Sequence, residues 1–336
     1  MTPIIIAVIV SALAFDFLNG VHDSSNVVAT MISSRAMSPR VALGMTAVAN
    51  FLGPFIFGVA VAETIGNEIV SAEAINELVL LAALLSAIFW NLLTWYLGFP
   101  SSSSHALIGG LVGAVVMGVG WQAIIPEGLV KVLISLFTSP FLGYAVGYIL
   151  LKIIIILCWN ATPKINGLFK RGQIVTSLAL ALSHGTNDAQ KTMGIITLAL
   201  VTAGYLDEFI VPSWVVFLCA GMIALGTALG GWRLIRTLGA KIYKIRPIDG
   251  FTAQSASAIV ILGASILGGP VSTTQVVSSS IMGVGAADRV NKVRWGVAKE
   301  IASAWLLTIP STALVGAGFY WILLKVIAYF PVLHIK

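Results

Sequence analysis

The chain has 336 residues, 58% of them hydrophobic and only 10% charged, with a mean hydropathy of +0.99. A soluble domain averages about 45–50% apolar and about 25% charged residues, so this composition excludes one and indicates a polytopic helical membrane protein. We assign the formal net charge of +6 to basic cytoplasmic loops rather than to nucleic-acid binding.

Two similar series of apolar segments follow one another along the chain. The opening segment is interpreted as a membrane span, because no small-residue cleavage site of a signal peptide follows it. The first series occupies residues 3–32, 41–62, 78–97, 105–125 and 132–157, and the second occupies residues 173–203, 211–232, 251–267, 276–287 and 301–326. We therefore predict an N-terminal repeat (1–160), a cytoplasmic linker (161–172) and a C-terminal repeat (173–336).

A short polar motif interrupts the first segment of each series. Its two copies, at Gly20–Asp23 and Gly185–Asp188, both end in aspartate, and a carboxylate inside a membrane is by default a functional-site hypothesis. The glycines predict interrupted helices, whose unwound carbonyls would join carboxylate and amide oxygens as ligands of a small cation. The alternative is a carboxylate that only caps a helix. The predicted cation site comprises Asn19, Gly20, His22, Asp23, Gly185, Asn187 and Asp188.

A second motif recurs where two apolar segments of each series meet. Pro100 precedes four serines and His105, and Pro270 precedes Ser272–Thr274 and Gln275. Proline discourages helix in the residue before it, and Ser and Thr are strong N-caps, so each tip should start a helix that offers free N–H groups to an anion. The alternative is that the hydroxyls only cap their own helices. The predicted anion site comprises Asn26, Ser101, Ser102, Ser103, Ser104, Ser272, Thr273, Thr274 and Gln275.

Loop charge predicts how the two series lie in the membrane. The basic loops at 35–40, 164–171, 233–246 and 289–299 fall in the cytoplasm when both termini lie outside. Residues 78–125 then leave from and return to the outside, whereas residues 251–287 leave from and return to the cytoplasm. The predicted fold is an all-α polytopic membrane protein with two inverted-topology repeats, discontinuous helices and two re-entrant hairpins.

Charge balance distinguishes an anion carrier from a symporter. Asp23 and Asp188, when ionised, carry a charge of −2, and a dianion would bring the site to −4. Uncompensated buried charge is prohibitive, so the anion should move only together with cations. A channel is a rival interpretation, but paired broken helices favour alternating access over a continuous pore. A hydrolase that uses Ser103 or Ser104 with His22 or His105 is rejected, because no nucleophile-elbow pattern surrounds these serines.

At these four motifs the sequence resembles the inorganic phosphate transporter (PiT) family. The family shows a duplicated Gly-x-(Asn/His)-Asp signature and a duplicated Pro-x-Ser hairpin tip, and the resemblance covers residues 12–320. It implies a multi-pass plasma-membrane protein, not an enzyme, that imports inorganic phosphate together with a cation. Phosphate would lie at the hairpin tips and the coupling cation at the aspartates, with no organic cofactor and with homo-oligomerisation left open.

The coupling ion and several residues stay open at this level. Oxygen ligands at the aspartates favour sodium as the coupling ion. Histidines can carry a proton near neutral pH, so proton coupling, with phosphate or a metal–phosphate complex as the substrate, is the alternative. The histidines concerned are His22, His105 and His184. Lys191 could neutralise an anion, pair with Asp188 or extend toward the membrane surface. Asn50 and Gln254 stand where eukaryotic members of the family carry glutamates, so part of the coupling chemistry is expected to differ.

Overall fold

The computed structural model describes residues 1–70 and 75–329, and almost all of them are helical. Two short π-helical turns, Thr64–Glu68 and Thr237–Lys241, extend the short helices Ala60–Glu63 and Trp232–Arg236. The α-helices are α1 (Pro3–Ser33), α2 (Pro39–Phe57), α3 (Ala60–Glu63), α4 (Glu77–Leu97), α5 (Ser103–Gly118), α6 (Pro126–Leu157), α7 (Ile165–Thr202), α8 (Ser213–Leu229), α9 (Trp232–Arg236), α10 (Pro247–Ile266), α11 (Thr273–Asp288) and α12 (Trp295–Tyr329).

Length and composition allow five of the described helices to cross a membrane: α1, α2, α4, α6 and α12. Proline in the first turn begins four helices, because it lacks the N–H that would have no acceptor there: Pro3 in α1, Pro39 in α2, Pro126 in α6 and Pro247 in α10. The chain is therefore an all-α membrane protein, as its composition predicts. α6 ends at Leu157 and α7 begins at Ile165, so much of the predicted linker 161–172 is helical.

The turns of two helix pairs, α4–α5 and α10–α11, meet inside the molecule. The turn of the first pair follows Gly98 and that of the second follows Gly268, and both glycines have positive φ angles, 75° and 71°. Away from its turn, the second pair is closed by an ion pair between Arg246 and Asp288. The fold therefore brings the two predicted tips together, and the inverted orientation of the two pairs stays a prediction.

The two halves of the chain make reciprocal contacts. α1 packs against α8 of the other half and α7 packs against α2, while α5 packs against α12 and α11 packs against α6. Glycine permits two of these close approaches, since a Cβ at Gly113 would collide with Ala313 and one at Gly283 with Tyr144. The core of the molecule is therefore built from interlocked halves rather than from two separate bundles.

The expected interruption of the helices at Gly20 and Gly185 is wrong. α1 and α7 run through both glycines without a break. The glycines instead allow close helix packing, because a Cβ at Gly20 would collide with the carbonyl of Ile223 and one at Gly185 with that of Asn50. Their own carbonyls lie inside a continuous helix, so the unwound geometry that made these two glycines candidate cation ligands is absent.

The interruptions fall one helix later in each half. α2 ends before Gly58 and α8 ends before Gly230, and the two glycines have φ angles of 81° and 74°. Side chains with a Cβ rarely adopt this left-handed region, which is why glycine stands at both places. The predicted spans 41–62 and 211–232 are therefore each divided into a long helix and a short one.

Three contacts join loops that the charge pattern assigns to the same side of the membrane. Among the loops predicted outside, the Thr2 amide donates to the Tyr205 hydroxyl, and an isolated β-bridge joins Val70 to Ile124. Between two segments predicted at the cytoplasmic side, the Ser34 hydroxyl donates to Gln173. The orientation in the membrane stays a prediction. The acidic residue Glu73 and the C-terminus lie outside the described residues.

An ion-pair cluster closes the base of the α10–α11 pair. The fully buried carboxylate of Asp249 accepts from Arg246 at 3.0 Å and from Lys292 at 2.8 Å, and both cations also pair with Asp288. The hydrogen bond with Asp249 raises the pKa of Arg246. Partial burial opposes ionisation of Asp288, but the charges of Arg246 and Lys292 outweigh it and lower the pKa of this carboxyl.

Candidate functional site

Each hairpin tip begins a helix in the same way, which confirms the predicted helix starts. Ser102 caps α5 and Ser272 caps α11, and each hydroxyl accepts from the backbone N–H three residues later, at 3.1 and 3.3 Å. The first N–H groups of any helix lack an intrahelical acceptor and carry the positive end of the helix dipole. Two positively polarised helix ends therefore face the centre of the molecule.

The two tips touch each other directly. The Ser104 hydroxyl of the first tip donates to the Val271 carbonyl of the second at 3.3 Å. Next to this contact, Nε2 of His105 lies 3.3 Å from Nε2 of Gln275. His105 and Gln275 hold the same place in the two tip motifs, so equivalent polar residues of the two tips meet.

Asp23 lies on α1 against the second tip. Its Oδ1 accepts from the Thr274 hydroxyl at 2.9 Å and lies 3.0 Å from Nδ1 of His22. The Thr274 hydroxyl in turn accepts from the Asn26 amide at 3.0 Å. The aspartate is 2% exposed, so these contacts, rather than bulk water, stabilise its carboxylate.

Asp188 lies on α7 beside two basic side chains. Its Oδ1 forms a very short ion pair with Lys191, and its Oδ2 lies 3.1 Å from Nε2 of His184. His184 Nε2 also lies 3.8 Å from Asp23 Oδ2, and its Nδ1 is 3.2 Å from the Asn50 amide oxygen. The distance to Asp188 suits an ion pair, although the ring is not aligned for a hydrogen bond to that oxygen.

The Thr273 hydroxyl joins the two aspartates. It lies 2.8 Å from Asp188 Oδ2 and 3.3 Å from Asp23 Oδ2, so one donor at the start of α11 faces both carboxylates. The ligating atoms of Asp23, His184 and Asp188 all lie within 4.8 Å of one another. The two Asp motifs, 165 positions apart in the sequence, therefore form one cluster.

The hydroxyls of the tips differ in what they contact. Ser101 accepts from the Trp90 indole at 2.9 Å and is also bonded to Thr308, so it fixes the tip to its scaffold. Thr273 and Thr274 face the aspartates, and Ser104 accepts from Lys191. Any anion contact of the two threonines in this arrangement would use their backbone N–H groups.

Several buried polar atoms of the site have no hydrogen-bond partner among the described residues. At the tips these are the Ser103 hydroxyl and the Gln275 amide oxygen. Near the aspartates they are the amide oxygens of Asn19, Asn26 and Asn187, the Nε2 atoms of His22 and His184, and Oδ2 of Asp16. Buried polar groups are normally satisfied, so these atoms are candidates for contact with a bound ion.

The whole cluster is closed to solvent on every side. Every predicted anion-site residue is at most 5% exposed, and both aspartates are at most 2% exposed. At this burial, charge that is not neutralised inside the cluster would be strongly unfavourable. The cluster is therefore isolated from bulk water in this conformation.

Two buried side chains outside the predicted anion and cation sets also contact the site. Asp16 precedes Asp23 by two helical turns on α1, and its Oδ1 accepts from Thr192 at 2.5 Å, while its Oδ2 has no partner among the described residues. The repeat of carboxylates on one face of α1 was a signal available in the sequence. Asn50 bridges His184 to Thr227, with its amide 2.8 Å from the Thr227 hydroxyl, so it orients the histidine between the aspartates.

Comparison with known proteins places this site in a family. A family model described as "Phosphate transporter family" matches residues 19–316 of this chain. A "Probable low-affinity inorganic phosphate transporter" of Bacillus subtilis (strain 168) is 47% identical over 322 residues, which cover 95% of this chain and 96% of that protein. The protein of the same description from Rhizobium meliloti (strain 1021) is 46% identical over 321 residues, covering 95% and 96%.

A solved structure has the same fold. It is described as "The sodium-dependent phosphate transporter", superposes with a TM-score of 0.90 at 26% identity, and covers 96% of this chain and 99% of its own. The likeness therefore extends over 96% of this chain. This chain belongs to the phosphate transporter family and is a membrane transporter, not an enzyme.

Proposed function

We propose that the protein is a sodium-coupled symporter that imports inorganic phosphate by alternating access. The observation that carries the proposal is the meeting of two helix N-termini and two aspartates in one closed cluster, bridged by the Thr273 hydroxyl. Helix N-termini favour anions, and carboxylates favour cations. A single buried centre therefore has separate groups for each of the two ions.

Phosphate would bind between the tips. Backbone N–H groups at the starts of α5 and α11 supply donors from both sides, and the unpartnered Ser103 hydroxyl supplies another. Five other residues of the predicted anion site would position these donors: the capping serines Ser102 and Ser272, the anchoring Ser101, and Asn26 and Gln275 beside the tip junction. The anion would lie next to Asp23 and Asp188, so its entry requires compensating positive charge.

Sodium would bind on the carboxylate side of the cluster. Sodium is a hard cation that prefers oxygen ligands, and the unpartnered amide oxygens of Asn19, Asn26 and Asn187 lie in the same segments as the aspartates. The structural relative is described as sodium-dependent, which supports the same ion for this chain. Each ion would relieve the electrostatic cost of the other, so neither would cross alone.

Proton coupling is the second candidate, and a specific contact favours it. His184 lies within ion-pair distance of Asp188 and 3.8 Å from Asp23, and His22 lies 3.0 Å from Asp23. A histidine beside a carboxylate can carry a proton at neutral pH. In this version the substrate could also be a metal–phosphate complex. An anion channel is less consistent with a site that is closed on all sides.

The orientation in the membrane belongs to the same proposal. The end of the bundle that carries Arg35, Arg40 and the Asp249 ion-pair cluster would face the cytoplasm, with the N-terminus outside, because basic loops remain inside. The α4–α5 pair would then be re-entrant from the outside and the α10–α11 pair from the cytoplasm. The two repeats would be inverted, and the exchange of their conformations would open the site to each side in turn.

Uptake into proteoliposomes tests the proposed function. Purified protein should accumulate labelled phosphate under an inward sodium gradient, and much less under a proton gradient of equal driving force. Asp23→Asn protein is the matched control, since it should reconstitute equally but lose coupled uptake. The opposite ranking of the two gradients would refute sodium coupling, and no accumulation under either gradient would refute the transport proposal itself.

A further inference from the structure

The Lys191 side chain has an unusual position in the site. It is 2% exposed, and its ammonium contacts Asp188 Oδ1, the Ser104 hydroxyl at 2.6 Å and the Val271 carbonyl at 2.9 Å. These three oxygens come from α7, from the first tip and from the second tip. One ammonium therefore links an Asp motif to both hairpins.

The three contacts are those of a bound cation. A carboxylate, a hydroxyl and a backbone carbonyl are the oxygen ligands that hard cations take in proteins. An ammonium has three N–H donors and no acceptor, so these oxygens satisfy all of its donors. The contacts put the charge of Lys191 at the position where a coupling ion at Asp188 would be expected.

The equivalent position in the first repeat is different. Asn26 follows Asp23 by three residues just as Lys191 follows Asp188, and the two pairs are 165 positions apart. The Asn26 amide oxygen is buried and has no partner among the described residues. The first half therefore offers a carboxylate beside an oxygen ligand without a partner among the described residues. In the second half, the positive partner of the carboxylate is a side chain of the protein itself, Lys191.

We propose that Lys191 is a tethered cation that replaces one of the two coupling ions which the duplicated motifs would otherwise hold. The two carboxylates alone carry −2, and Lys191 reduces this charge to −1. One exchangeable cation site then remains, on the Asp23–Asn26 side. This inference rests on the proposed function, because it concerns how many cations accompany each phosphate.

The number of cations can be measured from equilibrium binding. Phosphate affinity of the purified protein is determined by titration calorimetry over a range of sodium concentrations, with choline keeping the ionic strength constant. By mass action, a tenfold rise in sodium should strengthen phosphate binding about tenfold in the wild type and about one hundredfold in Lys191→Asn, because the variant takes up one more cation. The Lys191→Asn variant copies the first repeat.

The reciprocal variant supplies the matched control. Asn26→Lys copies the second repeat into the first, so phosphate binding should become nearly independent of sodium. An unchanged sodium dependence in Lys191→Asn would overturn the proposal, as would complete loss of phosphate binding at every sodium concentration in a variant that still elutes and melts as a folded protein.

A double variant decides the question if Lys191→Asn does not fold. Asp188→Asn combined with Lys191→Asn removes both charges of the pair, so its sodium dependence should equal that of the wild type whatever its absolute affinity. If Asp188 instead held an exchangeable cation, the double variant would bind one cation fewer than the wild type. The factor by which a tenfold rise in sodium strengthens its phosphate binding would then be about ten times smaller than in the wild type. Failure of the proposed function is distinct, because the wild type would then bind no phosphate or show no sodium dependence of its own.

Discussion

Replacing Thr273 with valine tests how the second tip is held against the aspartates. Valine keeps the shape of the side chain but removes the hydroxyl that lies 2.8 Å from Asp188 and 3.3 Å from Asp23. A hydrogen bond to a charged group is worth about 1.5–3 kcal/mol. If one such bond is lost, the free energy of phosphate binding in the closed site should become less favourable by about 2 kcal/mol. This change weakens the apparent phosphate affinity about thirtyfold at fixed sodium.

The control for this change lies on the same hairpin. The Thr252 hydroxyl on α10 is equally buried but donates only to the Ile248 carbonyl of its own helix, at 2.8 Å. Thr252→Val should therefore leave phosphate affinity within about threefold of the wild type, the effect of a single local bond. Both variants are compared by phosphate titration at one sodium concentration. Equal affinities for the two variants would refute the bridging role of Thr273.

Four further changes test other parts of the site and its frame. Asp23→Asn should abolish sodium-driven uptake while phosphate exchange assays report whether any binding remains, and full uptake would remove this carboxylate from the mechanism. Ser103→Ala should weaken phosphate binding about fivefold, by one neutral hydrogen bond of about 1 kcal/mol, without changing its sodium dependence; an altered sodium dependence would contradict an anion-side role. Gly185→Ala should lower the free energy of unfolding by about 1–3 kcal/mol through overpacking, whereas Gly221→Ala, with open space around it, should not; equal melting temperatures would contradict the close packing of Gly185 against Asn50. Asp249→Asn should destabilise the protein by about 2 kcal/mol, between the values for exposed and buried ion pairs, and an unchanged melting curve would show that the base cluster is not structural.

The parts of the fold that follow from local chemistry could be predicted from the sequence. Pro100 and Pro270 with the serines after them predict helix starts, and both helices begin within three residues of the prolines. The composition likewise predicts the membrane helices. In each case the cause lies within a few residues of the effect.

Contacts between distant segments could not be predicted in the same way. A glycine in a helix indicates either a break or a close approach, and only the partner helix distinguishes them, as the contacts of Gly185 with Asn50 do. Likewise, the role of Lys191 depends on Ser104, 87 residues away, and on Val271, 80 residues away. Sequence reasoning left the lysine undecided because its partners are brought together only by the tertiary fold.

The difference between the two Asp motifs has a consequence for how the site changes conformation. The repeats exchange contacts reciprocally, yet equivalent residues around the two aspartates differ in chemical type, among them Asn19 and His184, His22 and Asn187, and Asn26 and Lys191. Two chemically equal halves could each take up an ion and rearrange independently. A cation fixed to one half would instead keep that half neutralised throughout the cycle, so only the Asp23 half would change its charge when an ion binds or leaves. Ion binding at Asp23 would then be the event that closes the second tip over phosphate, because Thr273 and Thr274, which contact this carboxylate, begin the helix that faces the anion.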